Sequence, residues 1–108
     1  MKDYLVDPEA APYMIMAFDT TDKRGDILAG IHPSDKTCRP QTLNEDWNSG
    51  YWKVLSAFQE KTGVGGVLNT SFNLHGYPIV CTPGQALWTF ENSKLDGLAL
   101  GNYYLTKS

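Results

Sequence analysis

The sequence predicts an α/β fold of the α+β type, in which two main helices pack on a mixed sheet. Its 108 residues suffice for one domain, and with 42% hydrophobic and 19% charged residues it lies outside the composition of disordered chains. Apolar runs of strand length also alternate with two segments of helical period. We therefore expect a single domain over residues 1–108, with residues 1–11 as a polar lead-in.

The first half of the chain is predicted to supply two strands and an extended edge. Residues 13–18 and 27–32 are short apolar runs on either side of a polar loop, which predicts neighbouring buried strands that pair antiparallel. Residues 37–43 alternate in side-chain type and are predicted to be extended. Pro40 confines this segment to an edge, because proline lacks the amide hydrogen that a central strand needs.

The first main helix is predicted to follow a polar entry segment. Asn48 or Ser49 is a suitable N-cap, and Gly63 can end the helix in the left-handed conformation. Four side chains at positions i, i+3, i+4 and i+7 predict an apolar face that packs on the sheet: Tyr51, Val54, Leu55 and Phe58.

The second half is predicted to place a polar loop between two strands and to add a second helix. Residues 69–76 follow a short apolar strand, and residues 77–81 form the next one. Thr82 and Gln85 match a capping box, with Pro83 at the first helical position. The buried side of that helix is expected to comprise Ala86, Leu87, Trp88 and Phe90, and residues 95–100 and 103–105 are expected to complete the sheet.

Charge and cysteine content exclude several classes of protein. The net charge of −3 argues against an extended nucleic-acid surface, and Arg24 and Arg39 are the two arginines. No apolar run approaches the length of a membrane span, about 20 residues, so we expect a cytoplasmic protein without a membrane partner. Cys38 and Cys81 lack neighbouring metal-binding residues and are expected to be buried reduced thiols.

A polar loop is the first candidate binding site. It places Asn69, Thr70, Ser71, Asn73 and His75 after a predicted strand, where α/β sheets commonly bind ligands. Hydroxyl groups suit phosphate or carbonyl oxygens, and asparagine amides suit ligands of mixed polarity. The same side chains can instead bond their own backbone in a turn, so both interpretations remain open.

A second cluster lies earlier in the chain and contains His32, Asp35, Thr37, Arg39 and Gln41. Alternation places Thr37, Arg39 and Gln41 on one side of an extended segment. An arginine near a glutamine can hold a phosphate and an adjacent polar group, and a solvated surface is the alternative. The sequence has no nucleophilic triad, P-loop or metal-ligand motif.

Two motifs resemble one known family. Residues 32–41, HPSDKTCRPQ, are similar to its H-x-D-x-T-x-R-x-Q stretch with one extra residue before the aspartate, and residues 69–83 are similar to its N-T-S-F-N-x-x-G-E-P-I-V-x-T-P signature. The chain thus resembles, over residues 13–105, the C-terminal YrdC-like domain of O-carbamoyltransferases of the nodulation-protein and antibiotic-biosynthesis type. It departs from the pattern at Tyr77, where the family has glutamate, and at Gly65, where the family has proline.

The resemblance implies a YrdC-like twisted sheet that forms carbamoyl adenylate from ATP, carried with magnesium, and carbamoyl phosphate. An N-terminal acceptor domain would then transfer the carbamoyl group to a hydroxyl. Arg39 would neutralise phosphate oxygens, Thr70 and Ser71 would donate hydrogen bonds to them, and Asn73 would orient the loop or the carbamoyl amide. The full set of implied binding residues is Arg39, Gln41, Asn69, Thr70, Ser71 and Asn73, with His32, Thr37 and His75 as further candidates and no metal ligands.

The resemblance also implies that this chain is the C-terminal portion of a longer enzyme, truncated at its N-terminal side. We expect it to be inactive alone, because a site with one motif arginine binds phosphate weakly. Two other classes remain: a non-catalytic nucleotide- or RNA-binding module, and a module that only packs against another domain. Titration with ATP and RNA discriminates among the three.

Overall fold

The computed structural model describes residues 1–107 and confirms the α/β class with two main helices. A 3₁₀ helix spans Asp22–Gly30, helices α1 and α2 span Ser49–Thr62 and Pro83–Glu91, and strands β1 and β2 span Gly97–Leu100 and Tyr103–Thr106. The chain divides into two compact units, Met1–Leu68 and the described residues from Asn69 onward. None of the helices in residues 1–107 is long and apolar enough to cross a membrane.

The core of the first unit is built largely by its N-terminal segment. Leu5, Ala11 and Phe18 are buried together, and Tyr4 and Cys38 pack against them. Phe18 and Cys38 form an antiparallel bridge in which each backbone N–H donates to the other residue's carbonyl oxygen over 2.9 Å. The segment expected to be a polar lead-in thus contributes Leu5 and Ala11 to this core.

The prediction of two buried strands in the first unit is wrong. In residues 13–18 only Phe18 is buried, whereas Tyr13 is 75% and Ile15 is 80% exposed. Most of residues 27–32 belongs to the 3₁₀ helix, which is capped by the hydroxyl of Thr21 accepting from the Lys23 N–H. A strand is buried only when neighbouring strands and a covering layer surround it, and residues 1–68 supply isolated bridges only.

Helix α1 has the predicted ends. The Asn48 side chain accepts a hydrogen bond from the Tyr51 N–H over 3.0 Å, and Gly63 ends the helix in the left-handed conformation with φ of 77°. Both signals act within one turn of the chain, which is why the sequence alone predicts them.

The apolar face of α1 is not packed on a sheet, contrary to the prediction. Within the described chain α1 has no buried residue; Val54 is 60% exposed, and Leu55 is half-buried. We call the exposed residues Tyr51, Val54 and Phe58 the α1 stripe. An isolated helix of this length is marginally stable in water, so a stripe of this kind is typical of a helix that packs against another surface.

The second unit has its core between α2 and β1. Ala86 and Phe90 of α2 are buried with Leu98 of β1, and the half-buried side chains that pack on them are Phe72, Val80, Leu100 and Leu105. Thr82 and Gln85 form the predicted capping box, in which each side chain accepts from the other's backbone N–H. Strands β1 and β2 pair antiparallel with Leu98 opposite Leu105.

Three predictions for the second half of the chain need correction. Thr89 joins Ala86 and Phe90 on the buried side of α2, whereas Leu87 and Trp88 are exposed, because positions three and four residues apart share a helix face. Residues 77–81 form no strand; two backbone bonds, from Tyr77 N–H to Leu74 O and from Val80 N–H to Phe72 O, tie them to the loop. The short apolar strand before the loop is likewise absent, with Val67 and Leu68 exposed.

The two cysteines differ in their surroundings. Cys38 is half-buried, and burial raises the pKa of its thiol above the usual value. Cys81 is exposed, so the prediction that both thiols are buried is wrong for Cys81. The reason is that residues 77–81, predicted to form a strand, form none, and all of them except the half-buried Val80 are exposed.

Candidate functional site

In the first unit, residues 32–37 form a hydrogen-bonded turn centred on Asp35. Its Oδ1 accepts from the Thr37 N–H over 3.0 Å and from the Thr37 hydroxyl over 2.8 Å, and His32 Nδ1 lies 3.1 Å from the same oxygen. The backbone closes the turn, with His32 N–H donating to Thr37 O over 2.8 Å. His32 and Thr37, both ligand candidates, therefore have a structural role in this turn.

Hydrogen bonds from Thr37 hold the pKa of Asp35 below its usual value of 3.8, and the nearby His32 lowers it further. Because the folded-state pKa is depressed, the stabilisation of the turn by Asp35 is fully present above pH 3.8 and is lost as the pH falls through the lowered pKa. We expect the Thr37 amide to lose protection from hydrogen exchange in that window. NMR measurements of the Asp35 carboxyl and of amide exchange test this, with the Gly63 amide as an internal reference; an Asp35 pKa at or above 3.8 would contradict it.

Arg39 and Gln41 follow this turn on a segment that forms no regular strand, although the neighbouring Cys38 forms isolated bridges. Arg39 is exposed and comes directly after Cys38, whose backbone is bridged to Phe18 and to Ile31. Within residues 1–107 its guanidinium forms no ion pair with a carboxylate. Its five N–H donors are therefore available to an anionic ligand.

Gln41 is partly committed to the fold. Its Nε2 donates to the Pro12 carbonyl over 3.0 Å, and the next residue, Thr42, donates its N–H to Ala11 O over 2.8 Å. The Gln41 side chain remains exposed, so its amide oxygen can still accept from a ligand.

In the second unit, Asn73 organises the predicted polar loop. Its Oδ1 accepts from the Ser71 hydroxyl over 2.6 Å, and its Nδ2 donates to the carbonyl oxygens of Leu74 and Tyr77 over 3.1 and 2.9 Å. Both amide protons and the carbonyl oxygen of Asn73 are thus used inside the loop. Of the two interpretations that the sequence left open for this residue, the geometry favours the turn-forming one.

The loop closes with a tight turn over residues 74–77. The Tyr77 N–H donates to Leu74 O over 3.0 Å, and Gly76 has φ of 84°, a value that a residue with a Cβ adopts only at a cost. His75 is exposed at the corner of this turn. Its ring is accessible to a ligand, and its backbone position is fixed by the turn.

Asn69 and Thr70 are the side chains of the loop that remain uncommitted. Both are exposed, and neither side chain has a hydrogen bond within residues 1–107. Ser71 is exposed as well and donates to Asn73, while its oxygen can still accept a second bond. The loop therefore offers an amide and two hydroxyls to solvent on a backbone that Asn73 holds in place.

The two clusters lie in different compact units and differ in their chemistry. The first supplies a cation, Arg39, and the second supplies neutral hydrogen-bonding groups, among them Thr70 and Ser71. Among residues 1–107 no group of three or more His, Cys, Asp or Glu side chains lies close enough to hold a metal ion.

Sequence reasoning missed one feature beside the loop. The rings of Tyr77 and Trp88 are in contact, with centroids 5.3 Å apart and planes tilted by 50°, and both are exposed. Trp88 was predicted to be buried, and Tyr77 stood out only as a departure from the family motif. No local pattern links two residues that meet through the tertiary fold, so the sequence carried no signal for this pair.

Known proteins are similar to this chain over nearly its whole length. The sequence profile of the Carbamoyltransferase C-terminus family matches residues 1–107. An uncharacterized protein of Methanocaldococcus jannaschii is 40% identical over 105 residues, which are 97% of this chain and 20% of the relative. The nodulation protein NolNO of Sinorhizobium fredii is 38% identical over 96 residues, 89% of this chain and 14% of the relative.

A third relative has a named activity. The 3'-hydroxymethylcephem-O-carbamoyltransferase of Amycolatopsis lactamdurans is 25% identical over 97 residues, 90% of this chain and 18% of the relative. The chain thus spans a fifth or less of the length of all three relatives. Since the profile covers all but the last residue, the resemblance carried by the two motifs is confirmed: the chain belongs to the Carbamoyltransferase C-terminus family.

Proposed function

We propose that this chain is the C-terminal domain of an O-carbamoyltransferase and that its two polar clusters bind ATP and carbamoyl phosphate during formation of carbamoyl adenylate. The observation that carries the proposal is the family match over residues 1–107. The chain spans a fifth or less of the relatives reported above, so the complete reaction is proposed for a longer protein of which this chain is a part.

The residue chemistry of the clusters supports this role. In adenylate formation, water hydrolyses carbamoyl phosphate to carbamate and inorganic phosphate. A carbamate oxygen then bonds to the α-phosphorus of ATP, and the bond from that phosphorus to pyrophosphate breaks. Such a reaction needs charge stabilisation and positioning more than a protein nucleophile. Arg39 has the donors to neutralise phosphate oxygens, and the free hydroxyl of Thr70 can donate to them. The hydroxyl of Ser71 donates to Asn73, so it would have to release that bond before it could donate to a phosphate. Magnesium would accompany ATP as its counter-ion.

The partner in this proposal is the N-terminal acceptor domain of the longer enzyme. The α1 stripe supports such a partner. Helix α1 has one apolar face and no buried residue, as expected of a helix whose apolar face packs against another domain. The same stripe favours the competing function, a module that packs against another domain and binds no nucleotide.

Titration calorimetry separates these functions. We expect saturable binding of magnesium-ATP to the chain and none of a single-stranded RNA, whose extended phosphates a chain with net charge −3 would repel. We also expect no pyrophosphate release from ATP and carbamoyl phosphate, since the chain holds one motif arginine. Lack of ATP binding would favour the packing module, and pyrophosphate release would show that the chain is catalytically complete.

A further inference from the structure

The Tyr77–Trp88 pair has the properties of a preformed aromatic surface. Tyr77 is 57% and Trp88 is 44% exposed, although their rings touch. The Tyr77 backbone is fixed on both sides, since its N–H donates to Leu74 O and its carbonyl accepts from Asn73. Trp88 lies on α2, whose first turn is fixed by the capping box. The Tyr77 ring is thus oriented by the fold before any ligand binds.

This aromatic surface belongs to the same hydrogen-bonded loop as the free hydroxyl of Thr70 and the Asn73-bonded hydroxyl of Ser71. The single amide of Asn73 accepts from the Ser71 hydroxyl and donates to the Tyr77 carbonyl, over 2.6 and 2.9 Å. The same amide therefore fixes the backbone on which both the Tyr77 ring and the segment next to Thr70 are carried. ATP suits a loop that carries both a hydroxyl and an aromatic ring, because it has phosphates at one end and a planar base at the other.

We propose that the Tyr77 ring, braced by Trp88, stacks on the adenine of the ATP whose phosphates contact the free hydroxyl of Thr70. This assignment rests on the proposed function, and it adds the residue that recognises the base. Stacking of one base on an aromatic side chain contributes about 1–3 kcal/mol, which corresponds to a fold-change in affinity of about 5 to 150. Because the family motif has glutamate at this position, the surface is a feature of this chain rather than of the motif.

The test compares a ligand with a base and one without. Wild type, Tyr77→Ala, Tyr77→Phe and Tyr103→Ala are titrated with magnesium-ATP and with magnesium tripolyphosphate. We expect Tyr77→Ala to weaken ATP binding at least about fivefold and to leave tripolyphosphate binding unchanged, because only ATP has a base to stack. Tyr77→Phe keeps the ring and should bind as wild type does. Tyr103 is an exposed tyrosine on β2 of the same unit, so Tyr103→Ala is the matched control.

A second measurement needs no substitution and so does not depend on how the alanine variant folds. In ATP-saturated wild type we expect nuclear Overhauser effects between the Tyr77 ring protons and adenine H2 or H8. Their absence, unchanged ATP affinity in Tyr77→Ala, or equal losses for ATP and tripolyphosphate would overturn the stacking assignment while the proposed function stands. If wild type binds ATP no more tightly than tripolyphosphate, stacking is also overturned. If wild type binds neither ligand, both the stacking assignment and the proposed function are overturned.

Discussion

Arg39→Ala is expected to weaken magnesium-ATP binding by about 10- to 100-fold in calorimetric titration. A hydrogen bond to a charged group contributes about 1.5–3 kcal/mol, and a guanidinium can make two such bonds to one phosphate. Arg39 is exposed without a carboxylate partner in residues 1–107, so its removal leaves no internal charge unpaired. The loss should therefore appear in binding and not in stability.

The chain provides a matched control for this substitution. Arg24, the other arginine, lies in the 3₁₀ helix, and Arg24→Ala should bind ATP as wild type does. Arg39→Lys keeps the charge but not the planar fork, so it should fall between wild type and Arg39→Ala. Equal affinity in wild type and Arg39→Ala, or equal losses in Arg24→Ala and Arg39→Ala, would remove Arg39 from the site.

Asn73→Ala is expected to have the largest effect on the loop itself. It deletes three hydrogen bonds, to Ser71, Leu74 and Tyr77, and each typically contributes about 0.5–1.5 kcal/mol. Because these bonds are partly exposed and not additive, we expect a loss of about 2 kcal/mol in local stability. Hydrogen exchange of the Tyr77 amide, which donates to Leu74 O, should then accelerate about 30-fold.

Asn69→Ala is the control for this loop substitution. The Asn69 side chain is exposed and has no hydrogen bond within residues 1–107, so its removal should change Tyr77 amide exchange little. An unchanged exchange rate in Asn73→Ala, or the same acceleration in both variants, would mean that Asn73 does not hold the loop.

The parts of the fold that depend only on residues close together in the sequence are predictable from the sequence alone. The Asn48 cap, the Gly63 terminus and the capping box at Thr82 each act across a few residues, and all three occur in the structure. Residues 13–18 and 77–81 are different, because an apolar run becomes a strand only when another strand pairs with it. Such partners are remote in the chain, and residues 1–107 form only β1 with β2 and isolated bridges.

The candidate site likewise has features that the sequence predicts and features that only the structure shows. The sequence predicts where both polar clusters lie. It does not show whether their hydroxyls and amides bind a ligand or their own backbone, because loops of both kinds are rich in these groups. Only the hydrogen bonds of Thr37 and Asn73 distinguish these uses, and both side chains bond within their own turns. Arg39, Asn69 and Thr70 remain without such bonds in residues 1–107 and are the side chains most available to a ligand.

The central claim is that this chain carries a nucleotide site of a carbamoyltransferase, and a titration of the unaltered chain with magnesium-ATP tests it most directly. We expect saturable binding that is competed by carbamoyl phosphate or tripolyphosphate, because a donor that contacts the phosphates of ATP can contact those of the other two ligands as well. Binding heats no larger than those of dilution at millimolar ATP would contradict the claim and leave the chain as a packing module of its family.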